Sequence, residues 1–550
     1  MKSFRSYAVF SGITVAYIGL SLQLYDLQIA KGSFYSLRAA TQYRLAGFME
    51  PHRGHITIGD KNDNSFIMAG NQPHQVVIAV PREIKDIDTA VENLSPILGM
   101  EADEVRKILT KKGSYQVLLK DPTPEQAAQI AEADITGIRM DEQEKRLYAL
   151  GRLASHVIGF VAPSGEDNGV TGRYGIEKQF EKILAGTAGS LENGTVTDAI
   201  QGADIALTLD RQIQTEAEKT IKNLITEKRA EGGTIIVQEP ATGKILAMAS
   251  APDFDPAAYS DSPLKNLTNP AVQARYEPGS VFKVITAAIG LDTKAFTPET
   301  TYYDTGALKF DDGKVIRNWD LKAHGTVTMT NVIEESLNTG AAFMQKKIGN
   351  VPFYKYVVGF GFADPTGIEL PGEVGGNLKN IKTHKADIDF AAASFGQGIA
   401  VNPMQMIAAV GAIANRGPLM KPLITAGTEP QTVQTVLGKD AADQTTAMMV
   451  SAVKKARVAD IPNFTVAGKT GTAQAVDFVR GGYTKDVINT YVGFFPASKP
   501  KIIILIKLDK PAGAPLAGTT VVPAFRKLAE FIIDYYGIPP DNLQKQASGQ

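Results

Sequence analysis

No cysteine occurs among the 550 residues. Disulfides, thiol catalysis and cysteine-ligated metal sites are therefore excluded, and a chain without thiols suits an oxidising exterior. Histidine is scarce. His52 and His55 stand close together around Arg53-Gly54, but no acidic or histidine cluster completes a metal set with them. No charge of one sign dominates: Lys+Arg 57 against Asp+Glu 58 gives a net charge of -1. The basic excess of a nucleic-acid-binding protein is missing, and so is an acidic tail. Trp319 is the only tryptophan; it reads as a packing residue, with a place beside a cleft as the alternative. Long apolar runs are missing too, except one at the start.

That run is Tyr7 to Leu24, in which Gln23 is the only strongly polar residue. At ~1.5 Å per residue it covers most of a ~30 Å hydrocarbon core. A cleaved signal peptide is the competing reading, but Ala30-Lys31-Gly32 is a poor cleavage site and the run is long for one. The expectation is an uncleaved transmembrane signal-anchor over residues 6–28 after a cytoplasmic stub at 1–5. Lys2 and Arg5 orient it, so a single-pass protein of the cytoplasmic (inner) membrane with an extracytoplasmic catalytic part is expected.

The length predicts two or three domains. Residues 31–200 mix short strands such as Gln75 to Val80 with polar helices such as Pro124 to Ala133, and read as a pedestal. From residue 204 the pattern changes. A strand over Ile205 to Leu209 precedes a helix capped by Asp210 and running to about Arg229. Strands over Thr234 to Val237 and Lys244 to Ala249 flank a Pro/Gly turn. A second pair, Thr490 to Phe495 and Ile502 to Lys507, precedes a final helix over Pro523 to Tyr536 with Gly537 at its end. This part, 204–537, is followed by a polar tail at 541–550.

Three stretches carry chemistry. Ser280 follows Pro278-Gly279 and opens the apolar helical segment Val284 to Leu291, with Lys283 three residues on. A hydroxyl and an amine on one helical face suit a serine nucleophile with a lysine base. Alone, the pair reads equally as a helix cap and a surface lysine. Ser336-Leu337-Asn338 places a hydroxyl and a carboxamide in a tight segment, although an isolated Ser and Asn are also common turn formers. Lys469-Thr470-Gly471-Thr472 lies in a strand, Val466 to Ala473. A phosphate-binding loop ending at Gly468-Lys469-Thr470 would need glycine where Asn463 stands, so that rival fails. The order S-x-x-K, S-x-N, K-T-G belongs to serine acyl-transfer enzymes, and three pieces in order are far more specific than any one.

The chain resembles the class B penicillin-binding proteins, the FtsI-like peptidoglycan D,D-transpeptidases. The resemblance covers nearly the whole length. It includes Arg53-Gly54-His55-Ile56, Arg146 with Tyr148, Gly172-Arg173-Tyr174-Gly175-Ile176-Glu177 and Leu184-Ala185-Gly186-Thr187. Asn318-Trp319-Asp320, Ser394-Phe395-Gly396-Gln397-Gly398 and Thr490-Tyr491-Val492-Gly493 extend it. Two positions depart: Thr57 to Asn62 replaces the usual Asp-Arg-x-Gly, and Ala149 stands where proline is common.

The resemblance implies an α/β (α+β) fold. A penicillin-binding/serine β-lactamase-like domain, with an antiparallel sheet flanked by helices, would follow an elongated mixed α/β pedestal of the dimerisation type and one transmembrane helix. It implies Ser280 as nucleophile, Lys283 as base, Ser336 as proton relay, and Asn338 as holder of Lys283 and the substrate amide. Lys469 would be the cation that depresses the base. Lys469, Thr470 and Thr472, with Gly471 in the same strand, would bind the substrate carboxylate. The backbone N–H groups of Ser280 and Thr472 would form the oxyanion hole. It implies no metal or cofactor and no nucleic acid. The substrate would be D-Ala-D-Ala stem peptides, with β-lactams as covalent inhibitors. Partners would be an FtsW/RodA-like membrane glycan polymerase and other divisome proteins, because residues 31–200 carry no glycosyltransferase pattern. A septal role is expected. The alternatives are an elongation-type transpeptidase, a D,D-carboxypeptidase or β-lactamase, and a non-catalytic penicillin-binding scaffold.

Overall fold

The structure, a computed structural model, describes residues 2–32, 35, 50–111, 116–164, 169–192, 195–311, 313–382, 386–476, 482–513 and 515–541. The later part is built on a five-stranded sheet. Its order is Ile245–Ala251, Gly232–Gln238, Ile502–Asp509, Tyr483–Phe495 and Ala467–Val476. Every neighbouring pair is antiparallel.

The central strands are apolar at almost every position because both faces are covered. Side chains alternate between faces, which divides them into two cores. Ile235, Val237, Ile504 and Ile506 pack with Ile213, Ile221, Phe525 and Leu528 from the helices Arg211–Lys228 and Val521–Tyr536. Ile236, Ile503 and Leu505 pack with Val284, Ile285, Met404 and Ile407 on the opposite side. Each such fully buried side chain stabilises by about 1.5–3 kcal/mol relative to exposure.

Asp210 caps its helix as expected, Oδ1 accepting from the N–H groups of Gln212 and Ile213 at 2.9 and 3.1 Å. Its second oxygen accepts from the Tyr535 and Tyr536 hydroxyls at 3.1 and 3.3 Å, which ties the last helix to the first. Gly537 ends that last helix in the left-handed region, at φ 61. Several elements are longer than predicted. The strand ending at Phe495 begins at Tyr483, and the final helix begins at Val521.

The earlier part has its own sheet. Phe66–Ala79 pairs with Gln116–Lys120, with Ile56–Gly59 and, along its length, with Ile138–Tyr148. Ile56–Gly59 also pairs in parallel with Ile205–Asp210, so this sheet continues into the strand that opens the later part. Three stretches that carried the family resemblance meet at Glu177, which is 0% exposed. Its carboxylate accepts from Arg53 Nε at 2.8 Å and Arg146 Nε at 2.7 Å, and Arg53 also reaches Glu181 at 2.6 Å. A buried carboxylate tolerates such a site only when its partners are in place.

The expected transmembrane anchor is a correction. Lys2–Tyr25 is helical, but among the described residues no helix is long and apolar enough to cross a membrane. Ser11, Gly12, Thr14, Gly19, Ser21 and Gln23 dilute the apolar run. Directly after it, Asp26–Ala30 winds as a π-helical turn that opens on a carboxylate. The single-pass topology and the inner-membrane localisation rested on that segment and are withdrawn with it. What remains of the expected fold is a helix-flanked antiparallel catalytic sheet preceded by a separate pedestal. The predicted polar tail, beyond Asp541, lies outside the described residues.

Candidate active site

Ser280 lies in a 3-10 turn, Gly279–Phe282, that leads into the helix Lys283–Asp292. The sequence predicts the start of an α-helix here. The tighter winding eclipses residues three apart, so the backbone carries Ser280 and Lys283 on one side. Two glycines let this turn sit where it does. A Cβ on Gly471 would come within 2.9 Å of Pro278 O and of Val281 Cγ2, so only glycine lets the turn rest on the strand Ala467–Val476. Gly279 itself has φ 57 and donates its N–H to Gly396 O at 3.1 Å.

Lys283 is 0% exposed. Its Nζ donates to Ser336 O at 2.5 Å, Asn338 Oδ1 at 2.8 Å and Ser336 Oγ at 3.3 Å. Burial holds its pKa well below the usual lysine range, and the charge of Lys469 pushes it down further. Lys469 is 3% exposed, and burial pulls its pKa down to about 7. Its Nζ donates to Ser336 Oγ at 3.0 Å, Thr470 O at 3.2 Å and Thr470 Oγ1 at 3.3 Å. The Ser336 hydroxyl therefore bridges the two amines.

Ser336 ends the helix Met329–Glu335 with φ 57, a left-handed conformation that costs a non-glycine residue about 1–3 kcal/mol. Leu337, fully buried, anchors the turn. Asn338 then opens the helix Asn338–Ile348, and its Nδ2 donates to Arg317 O at 2.8 Å. That bond fixes the carboxamide so that its oxygen faces Lys283.

Of the expected site residues, Lys283, Ser336, Asn338, Lys469 and Thr470 are joined by direct hydrogen bonds. Gly471 touches the Ser280 turn through backbone packing. Thr472 stands further along the same strand, and its hydroxyl accepts from the Ala517 N–H at 3.2 Å. Ser280, Thr470 and Thr472 are half-buried. Two findings differ from or add to the sequence reading. Glu277, nearly buried, accepts from the Gly398 N–H at 3.0 Å and the Tyr483 hydroxyl at 3.1 Å, and burial raises its pKa. Trp319 is not a packing residue: it is 56% exposed, and its indole N–H donates to Glu335 O at 3.0 Å, next to Ser336.

Buried amines around a serine hydroxyl beside a half-buried serine are equipped for acyl transfer, and comparison with known proteins agrees. Residues 233–530 match the penicillin-binding protein transpeptidase domain and residues 48–203 match the penicillin-binding protein dimerisation domain. The chain is 31% identical to stage V sporulation protein D of Bacillus subtilis over 90% of its own length and 80% of that protein. It is 26% identical to penicillin-binding protein PbpB of Mycobacterium tuberculosis, covering 96% of this chain and 84% of the other. The crystal structure of penicillin binding protein 3 from the same organism, complexed with aztreonam, superposes with a TM-score of 0.68 at 25% identity, over 90% of this chain and 98% of that one. The chain belongs to the class B penicillin-binding proteins, the FtsI-like serine D,D-transpeptidases that act on peptidoglycan.

Proposed function

We propose that Ser280 is the nucleophile of this transpeptidase and that Lys283 is its base. The carrying observation is the state of Lys283: fully buried, beside a second amine, and held by three acceptors from Ser336 and Asn338. A lysine so depressed gives up its proton more readily than a free one, and once neutral, with two N–H groups and a free lone pair, it can take a proton from a serine hydroxyl. Ser280 Oγ attacks the carbonyl between the last two D-alanines and passes its proton to Lys283. The peptide C–N bond breaks, and the departing D-alanine amine takes a proton through Ser336 Oγ. The amine of a second stem peptide then displaces Ser280 and completes the cross-link.

Lys469, Thr470 and Thr472 are proposed to bind the terminal carboxylate, with Gly471 keeping the strand close to the nucleophile. The backbone N–H groups of Ser280 and Thr472 would hold the developing oxyanion; one such donor is typically worth about 3 kcal/mol of barrier. The strand Ala467–Val476 lies at the end of its sheet, so its outer edge suits an extended peptide. β-Lactams would acylate the same serine.

At the level of the whole protein, residues 31–200 are proposed as a pedestal and 204–537 as the transpeptidase domain. Divisome proteins and a glycan polymerase of the FtsW/RodA type would supply glycan strands to a septal enzyme. Peptidoglycan synthesis during sporulation is the second reading, favoured by the 31% identity to a sporulation protein. The test of the chemistry is covalent labelling by a fluorescent penicillin, with the adduct located by mass spectrometry. The label is expected on Ser280 and lost in Ser280→Ala and Lys283→Ala; labelling that survives Ser280→Ala overturns the assignment.

A further inference from the structure

The Ser336–Asn338 turn is gripped from both ends by one loop. Arg317 O receives Asn338 Nδ2 at 2.8 Å, and the Trp319 indole N–H reaches Glu335 O at 3.0 Å. Between them, Asn318 Oδ1 accepts from the Thr339 N–H at 3.2 Å. Under this loop lies a carboxylate, Asp304, which is 1% exposed. Its Oδ1 accepts from the Gly306 N–H at 3.0 Å and the Thr339 hydroxyl at 2.7 Å. Its Oδ2 accepts from Asn318 Nδ2 at 2.8 Å and the His324 N–H at 3.0 Å. Four donors thus converge on one buried carboxylate. Asn318 and Thr339 are each 1% exposed as well.

We infer that Asp304 is a positioning residue for acylation, acting through Asn318 and Thr339 on the Ser336–Asn338 turn and through that turn on Lys283. Ser336 occupies a conformation that persists only where its surroundings over-determine it. The helix to its left is held at Glu335 by Trp319, and the helix to its right is held at Asn338 and Thr339 by Arg317, Asn318 and Asp304. Release of either grip lets Ser336 relax toward an ordinary backbone conformation. Its carbonyl and hydroxyl would then leave Lys283, whose only other hydrogen-bond partner among the described residues is Asn338. Asp304 touches neither the amine nor the nucleophile.

Asp304→Asn turns one acceptor oxygen into a donor that faces two existing donors, so the network must rearrange. Trp319→Phe keeps an aromatic ring at this exposed position and removes the pyrrole half of the indole with its N–H. This inference rests on Lys283 being the base. The experiment is stopped-flow acylation by a chromogenic cephalosporin, separating the pre-covalent Kd from the limiting acylation rate. Ser280→Ala and Lys283→Ala are measured in parallel.

A displacement of about 1 Å typically costs on the order of 100-fold in rate. We expect Asp304→Asn to lower the limiting rate by about 10–100-fold and Trp319→Phe by about 3–10-fold, with Kd shifting less than about two-fold in both. Combined with Asn338→Ala, Asp304→Asn should add little, because both act on one turn. An Asp304→Asn enzyme within two-fold of wild type overturns the inference, as does a loss carried by Kd, or full additivity with Asn338→Ala. If Asp304→Asn does not fold, Trp319→Phe decides alone, and a wild-type rate there overturns it. Acylation that persists in Lys283→Ala would instead refute the assignment of the base.

Discussion

Burying Lys469 destabilises the protein in a way that can be measured. Its pKa falls from 10.5 to about 7 on folding. Each pKa unit corresponds to about 1.36 kcal/mol, so the full penalty is ~5 kcal/mol, and at pH 7, where the folded amine is half protonated, it is ~4 kcal/mol. The sign follows from proton counting. Between about pH 7 and pH 10.5 the unfolded chain holds the proton and the folded chain does not. Stability therefore rises with pH across that window, and the penalty is fully in force below it. Lys469→Met removes the titrating group and keeps the bulk. It also removes the bonds to Ser336 Oγ, Thr470 O and Thr470 Oγ1, together worth about 2 kcal/mol. The variant should be more stable than wild type by roughly 2 kcal/mol at pH 7 and should lose that advantage by pH 10. Urea unfolding followed through the single tryptophan, Trp319, reads this directly. A variant no more stable than wild type at pH 7, or a gap that does not narrow with pH, refutes the reasoning. The same substitution lifts a repelling charge from Lys283, so any residual acylation should shift its pH dependence upward.

Two other substitutions test separate parts of the fold. Gly471→Ala places a methyl 2.9 Å from Pro278 O and Val281 Cγ2, so it should push the Ser280 turn off its strand, cost about 1–3 kcal/mol and slow penicillin labelling; unchanged labelling would show that the turn adapts. Glu177→Gln leaves Arg53 and Arg146 facing a neutral amide in a buried site, and should lower stability by about 3–5 kcal/mol in thermal unfolding without moving the active site of any enzyme that remains folded.

What could be read from the sequence was what local spacing encodes. Ser280 and Lys283 fall on one side of a turn, Asp210 caps a helix, Gly537 ends one, and Ile502 to Lys507 is a strand. The sequence patterns also named every group that surrounds the Ser336 hydroxyl. The base reading called for partial burial of Lys283, but not for the complete burial of Lys283 or the burial of Lys469, because lysine as a residue type points outward and only the assembled fold encloses it. The patterns did not show Asp304 joined to Asn318 and Thr339, or Glu277 joined to Tyr483, because those contacts join separate segments. Trp319 was misread because burial is the usual state of a lone tryptophan. The N-terminal run was misread because apolar residues were counted without enough weight for the small and polar residues among them.

The order of the catalytic strands also governs how the enzyme is made. Ile502–Asp509 occupies the middle of the sheet, yet it is the last of the five strands in chain order. During synthesis, Gly232–Gln238 and the hairpin formed by Ala467–Val476 and Tyr483–Phe495 wait on either side of an empty lane. Their apolar edges are exposed until the missing strand arrives, and such distant pairing is slow. The strand carrying Lys469 cannot be registered against the core that holds Ser280 before then. A chain that stops short of this strand is thus a sticky intermediate without a competent acylating centre, and synthesis must pass Asp509 before the enzyme can react with substrate or drug.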